Sequence, residues 1–151
     1  MIYFAQKAFI VSKGRLLVVQ KSKDDPNVPL KWEVPGGRME EGEEIEAHIK
    51  REVKEEVGLE IIAGAPFFLW QWNITRADKD GQSTSAATIV AVARYCVPLS
   101  MEIDESGRVD GDHLGESTWL PIEKLRELDW IPNMRPVVER FLQEYTKEVL
   151  R

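Results

Sequence analysis

The chain has 151 residues, 43% hydrophobic and 30% charged, with a formal net charge of −6. This length fits one domain, residues 1–151, with a sizeable core, and the composition is that of a globular chain, not a disordered one. No basic stripe runs along it, which argues against binding polymeric nucleic acid. The acidity is local: residues 38–60 hold nine Glu against four Arg or Lys, which accounts for −5 of the −6. The single cysteine, Cys96, excludes an intramolecular disulfide and reads as a buried structural thiol. The start "MIYFAQKAFIV" lacks a signal-peptide layout, and no run reaches the ~18 apolar residues of a membrane span, "AATIVAVARYCVPL" being short and broken by Arg94. The expectation is a cytoplasmic protein with no membrane partner, as a monomer or homodimer.

In chain order, residues 2–11 and 15–20 read as strands around "SKGR", where Gly14 suits the positive φ of a hairpin turn. "KSKDDPNVPLK" reads as a loop, and "WEVPGG" as a short extended piece stopped by Pro35 and two glycines. Over 43–57 the apolar residues Ile45, Ile49, Val53 and Val57 recur every four positions. That spacing predicts a helix with one buried stripe, ended by Gly58 as C-cap. Residues 59–74 and 86–98, rich in β-branched and aromatic side chains, read as a long hairpin with a mobile tip. "DESGRVDGDHLGE" reads as a loop before a short strand "STWL". Two helical segments follow, "PIEKLREL" and "MRPVVERFLQEYTKEVL", the second with Val137, Phe141, Tyr145 and Val149 along one side. This order predicts a single α+β domain with helices packed on a mixed sheet.

Like charges at i,i+3 or i,i+4 cost a helix roughly 0.2–0.5 kcal/mol per pair, so the glutamates of 43–57 need a compensating role. Glu52, Glu55 and Glu56 are spaced to emerge together on one helix face, beside the stripe that must point inward. A cluster at the edge of a buried face is poorly screened by water. A hard divalent cation would turn it into an oxygen-ligand site, since Mg²⁺ is usually held by one or two carboxylates plus substrate phosphates. Arg51 and Lys54 would neutralise part of the cluster, and Arg51 is suited to bidentate pairing with a carboxylate such as Glu43.

The spacing Gly37, five residues, Glu43, seven residues, then "REVKEEVGL" matches the Nudix box at nine positions over 23 residues. The chain therefore resembles a Nudix hydrolase. The lead-in "LKWEVPGG", the run "RLLVVQK" before it and "ESTWLPIEKL" after it extend the likeness over most of the domain. The resemblance implies an α/β/α sandwich with a mixed sheet, and a Mg²⁺- or Mn²⁺-dependent hydrolase of a nucleoside diphosphate linked to another moiety. It assigns Glu52 and Glu56 as the principal metal ligands, joined by Glu55, directly or through water, and by the Gly37 carbonyl. Glu43 and Arg51 become a supporting pair that orients the helix. Lys21 and Arg38 stand where the family often places phosphate-contacting cations, and Glu116 where some members carry a further catalytic carboxylate. His48 reads as structural or exposed, and His113 as a loop residue with substrate contact the lesser alternative.

"WEVPGGR" and "DWIPNMRPVV" resemble the MutT-like branch. That resemblance implies a (deoxy)nucleoside triphosphate as substrate, with an ADP-ribose or nucleotide-sugar pyrophosphatase, or a non-catalytic binding module, as the alternatives. In that branch an asparagine two residues before the proline reads oxidised guanine. Counting back from Pro136 puts Met134 there, with Asn133, the candidate substrate contact, displaced by one. A thioether lacks the amide's paired donor and acceptor, so a strong preference for 8-oxo-dGTP is not expected.

Overall fold

The computed structural model describes residues 1–77 and 80–149. Strands β1 (Ile2–Ser12) and β2 (Arg15–Lys21) form a hairpin whose turn residues, Lys13 and Gly14, both have positive φ. This turn matches the right-handed twist of the flanking strands. Strands β3 (Trp32–Glu33) and β4 (Gly36–Arg38) follow, then helix α1 (Ile45–Val57). Strands β5 (Ile61–Ala77), β6 (Ser83–Pro98) and β7 (Leu114–Pro121) come next. Two 3-10 turns, Ile122–Glu127 and Pro132–Met134, lead into helix α2 (Arg135–Val149). The sheet runs β3-β2-β1-β6-β5, with β4 added on β1 and β7 on β2. It is mixed, because β1 pairs β6 in parallel and its other partners antiparallel.

Strand alternation explains why both faces are covered. Ala8, Ile10, Leu17 and Val19 point to one face and pack with Ile49, Val53 and Val57 of α1. Phe9, Leu16 and Val18 point to the other and pack with Val137, Val138 and Phe141 of α2. Successive side chains on a strand face opposite ways, so β1 and β2 read as nearly continuous apolar runs with a helix on each side. Cys96 belongs to the α1-side core, where burial pushes its thiol up to about 11.

Several boundaries differ from the sequence reading. "WEVPGG" is two strands: Gly36 and Gly37 belong to β4 and pair with Lys7 and Gln6. A Cβ on Gly36 would lie 2.1 Å from the Gln6 carbonyl oxygen, so only glycine allows this approach. The β5–β6 hairpin is longer than expected, pairing out to Ala77↔Ser83; positions 78 and 79 of its tip lie outside the described residues. α1 starts at Ile45, which is 52% exposed, so the buried stripe begins at Ile49. "PIEKLREL" is a 3-10 helix, and β7 begins at Leu114, which places Glu116 in a strand and not a loop. Of the second stripe, Val137 and Phe141 are buried and Tyr145 is half-buried.

Candidate active site

α1 ends where the sheet splits, and that junction sets the site. β1 pairs with β4 at residues 5–7 but with β2 only at Val11 and Ser12. Between them opens a cleft of about 670 Å³, lined by Lys7, Lys21, Glu33, Gly37, Glu52 and Glu56, with Tyr3, Arg38 and Asp112 further out. The C-terminus of α1 is capped by Gly58, whose N–H donates to the Lys54 carbonyl. Arg108 adds a second clamp: its Nε donates to the Glu56 carbonyl at 2.8 Å, while the rest of its guanidinium holds the Gly115 carbonyl and Ser117. The loop carrying Asp112 is thereby tied to the acidic end of the helix.

Glu56 is the most buried of the carboxylates, 5% exposed, and its Oε2 has no hydrogen-bond partner. Burial pushes its carboxyl well up, Glu33 and Glu52 add to the rise, and Lys7 opposes it. Glu52 is also raised, first by burial and then by Glu55, against Arg51 and Lys7. Gly37 lies directly beneath it: a Cβ there would sit 2.7 Å from Glu52 Oε2. Lys7 Nζ bonds Glu33 at 3.2 Å. Burial opposes the Lys7 charge, but Glu33, Glu56 and Glu52 outweigh it and hold the lysine above its ordinary value.

Arg51 organises the outer edge. Its Nε and Nη2 grip both oxygens of Glu43 at 2.7 and 2.9 Å, and Glu43 also accepts from the Glu40 N–H at 2.7 Å. Arg51 Nη1 holds Glu55 at 3.2 Å, and Nη2 lies 3.3 Å from Glu52 Oε1. Glu55 is thus turned to Arg51 and does not line the cleft, whereas Glu52 and Glu56 do. Among the described residues no three His, Cys, Asp or Glu side chains already converge as a ligand set. Two cleft carboxylates, one with an unpartnered buried oxygen, nonetheless fit a hard cation whose remaining ligands come from phosphate and water.

The cations Lys21 and Arg38 both reach the cleft. Lys21 Nζ donates to the Asp112 carbonyl at 2.9 Å, and Arg38 lies over the Tyr3 ring at 4.6 Å. Glu116 is exposed and outside the lining, as is His113. Asn133 is half-buried away from the acidic end, its carbonyl accepting from Trp70 Nε1 at 3.0 Å. Met134 is 1% exposed in the α2-side core, so it is not a surface residue of that turn. Lys7, Glu33 and Asp112 escaped the sequence reading. A lone lysine in the apolar run "YFAQKAFIV" was the available signal for the first.

A NUDIX domain profile matches residues 7–141 of this chain. The chain belongs to the Nudix family. It is a Nudix pyrophosphohydrolase, and enzymes of this family act on small nucleotides and are generally dependent on a divalent metal. A protein named putative 8-oxo-dGTP diphosphatase 2, from Mycobacterium tuberculosis, is 25% identical over 122 residues, spanning 81% of this chain and 76% of the relative. One named nucleoside triphosphatase NudI, from Enterobacter sp. (strain 638), is 26% identical over 122 residues, spanning 80% and 82%. Among solved structures, the MutT protein of Methanosarcina mazei Go1 superposes with a TM-score of 0.72 at 21% identity, covering 95% of both chains. The Nudix fold expected from the sequence is therefore present, and no described helix is long and apolar enough to cross a membrane.

Proposed function

We propose that this Nudix hydrolase cleaves a (deoxy)nucleoside triphosphate to the monophosphate and pyrophosphate, with Mg²⁺ or Mn²⁺ held by Glu52, Glu56 and the Gly37 carbonyl. The observation that carries this reading is the unpartnered, buried Glu56 oxygen in a cleft with cations along its walls. A buried carboxylate oxygen without a partner is costly, and a cation answers that cost. Glu55, now on Arg51, would join through water. When bound, the cation supplies Lewis-acid stabilisation of phosphoryl charge and activates water.

The chain's own residues do the rest. Lys21 and Arg38 bind the polyphosphate, and Lys7 balances the charge of Glu33, Glu52 and Glu56. Water adds to phosphorus, the P–O anhydride bond breaks, and pyrophosphate departs with a proton released to solvent. The Arg51–Glu43 pair ties α1 to the loop after β4, and Arg51 also holds Glu55.

The nucleoside end is supported by the strand register. Tyr3, Ile89 and Trp72 form one cross-strand row, and Arg38, Ala5, Ala91 and Trp70 the next. Small alanines flanked by half-buried aromatic rings make a flat apolar shelf beside the phosphate cleft, suited to a base. Asn133 stands against Trp70 at its edge. Met134 is buried and Asn133 half-exposed in that turn, which favours Asn133 over Met134 as the residue facing a base. The relatives' names lean the same way toward triphosphates. A panel of dNTPs, 8-oxo-dGTP, ADP-ribose and UDP-sugars, assayed with and without Mg²⁺, tests the reading. Metal-dependent pyrophosphate release from triphosphates is expected, and turnover confined to ADP-ribose or sugars would overturn it.

A further inference from the structure

α1 buries an imidazole that the proposed reaction does not use. His48 is fully buried and lies one turn before Glu52. Its Nδ1 is 2.8 Å from Gln6 Nε2. The Gln6 amide is oriented from both ends: its nitrogen donates to the Ile45 carbonyl at 2.8 Å, and its oxygen accepts from Arg94 Nη1 at 3.3 Å. Guanidinium can only donate and a carbonyl can only accept. Arg94 is itself anchored by the Gly64 carbonyl at 3.0 Å and by Glu46 at 2.7 Å, so the amide cannot flip.

The second hydrogen of the Gln6 nitrogen therefore points at His48, and Nδ1 must accept it. The ring is neutral with its hydrogen on Nε2; a doubly protonated ring would set two donors against each other. That Nε2 is buried and makes no well-formed hydrogen bond; the Gly37 and Arg38 backbones lie near the ring, and the side-chain acceptor facing Nε2 is Glu52 Oε1 at 3.9 Å. The same oxygen faces Arg51 Nη2 at 3.3 Å. A turn of Glu52 by ~1 Å would bring the pair into hydrogen-bond range.

We propose that His48 is a positioning residue: its Nε2–H and Arg51 together hold Glu52 Oε1, leaving Oε2 as the oxygen offered to the cation. This rests on the reading of Glu52 as a metal ligand. A chain of donors, Arg94 to Gln6 to His48 to Glu52, then runs from β6 to the cleft. Partners one step behind a metal ligand set its orientation and commonly change metal affinity 10–100-fold when lost.

Two substitutions separate positioning from packing. His48→Asn keeps an acceptor toward Gln6 but loses the donor at the Nε2 position, whereas His48→Gln places an amide nitrogen there. Mn²⁺ binding to the substrate-free protein, followed by electron paramagnetic resonance, is expected to weaken about 10-fold in His48→Asn and to recover in His48→Gln. In the wild type, ¹⁵N resonances of the ring should report hydrogen on Nε2 and a bare Nδ1, and the Nε2–H signal should move downfield as Mg²⁺ is added. A ring protonated on Nδ1, an unmoved Nε2–H signal, or wild-type Mn²⁺ affinity in His48→Asn whatever its melting temperature overturns the proposal. Glu52→Gln distinguishes the layers. If it binds Mn²⁺ as the wild type does, the ligand assignment fails and takes this inference with it. If it loses Mn²⁺ while His48→Asn retains it, this inference alone fails.

Discussion

The two faces of the sheet are packed on different terms. The α2 side is closed by aromatic contacts: Phe9 meets Phe67 at 5.0 Å and Phe141 at 5.1 Å, and Tyr95 stacks on Phe67 at 4.3 Å. The α1 side buries Gln6, His48, Glu56 and Arg94 alongside its aliphatic residues. One helix is held mainly by burial of apolar area; the other packs over buried polar groups, among them Glu56 of the proposed site. Stability and activity are thus expected to come apart face by face.

The largest effect should separate them outright. Glu56→Gln keeps the shape and removes a charge that burial disfavours, so turnover should fall by orders of magnitude while the melting temperature holds or rises. Activity within a few-fold of wild type, or a fall in melting temperature, would break the comparison. The mirror case is Phe141→Ala, expected to cost about 3–5 kcal/mol in a urea titration, with kcat per folded molecule little changed. Loss of kcat ahead of unfolding would show that α2 also shapes the site.

Smaller effects sharpen the contrast at the edge of α1. Arg51→Ala strips Glu43, Glu52 and Glu55 of their shared partner and should lower both turnover and melting temperature. Lys54→Ala removes an exposed pair with Glu60, for which ~0–1 kcal/mol is typical, and a weaker attraction to Asp104. Equal melting temperatures would contradict the role given to Arg51. pH adds an independent check. Hydrogen bonds from Arg51, then from the Glu40 N–H, hold the Glu43 carboxyl at about 2, below its ordinary 4.5. A depressed folded value means the pair stabilises fully above pH 4.5 and is lost as pH falls toward 2. The melting temperature of Glu43→Gln should therefore fall less than that of the wild type between pH 5 and 2.5. Parallel curves would leave Glu43 without that part. Smallest, Asn133→Ala should reduce kcat/KM for the preferred base by roughly 10-fold, about 1.4 kcal/mol, and leave the other bases unchanged. A uniform loss would remove Asn133 from base readout.

What the sequence disclosed follows from how local the signal is. α1, its Gly58 cap and the Glu43–Arg51 pairing rest on spacing within one helix and the turn before it, and all were legible. The Lys7–Glu33 pair joins residues 26 apart across the split in the sheet, a contact that only tertiary structure creates. The burial of Met134 beside the half-exposed Asn133 has a simple geometric cause. Consecutive residues of a 3-10 turn are rotated by about 120°, so a one-residue offset in counting reverses which side chain faces the core. Pairing of β4 was missed because glycines read as breakers, although here they are what lets two backbones approach. Glu55 was grouped with Glu52 and Glu56 by helical spacing and by the resemblance, neither of which can tell that Arg51 holds its carboxylate here.

Cys96 carries a practical consequence. Its thiol sits at 2% exposure with its ionisation pushed up to about 11, so the nucleophilic thiolate is scarce at neutral pH. As the chain's single sulfhydryl, it is a built-in clock for opening of the core between α1 and β6. Alkylation by a thiol reagent in native buffer would then be timed by how often that core parts, not by the reagent's own chemistry. Adding Mg²⁺ should slow the clock, which would report the site's grip on the fold without a single turnover.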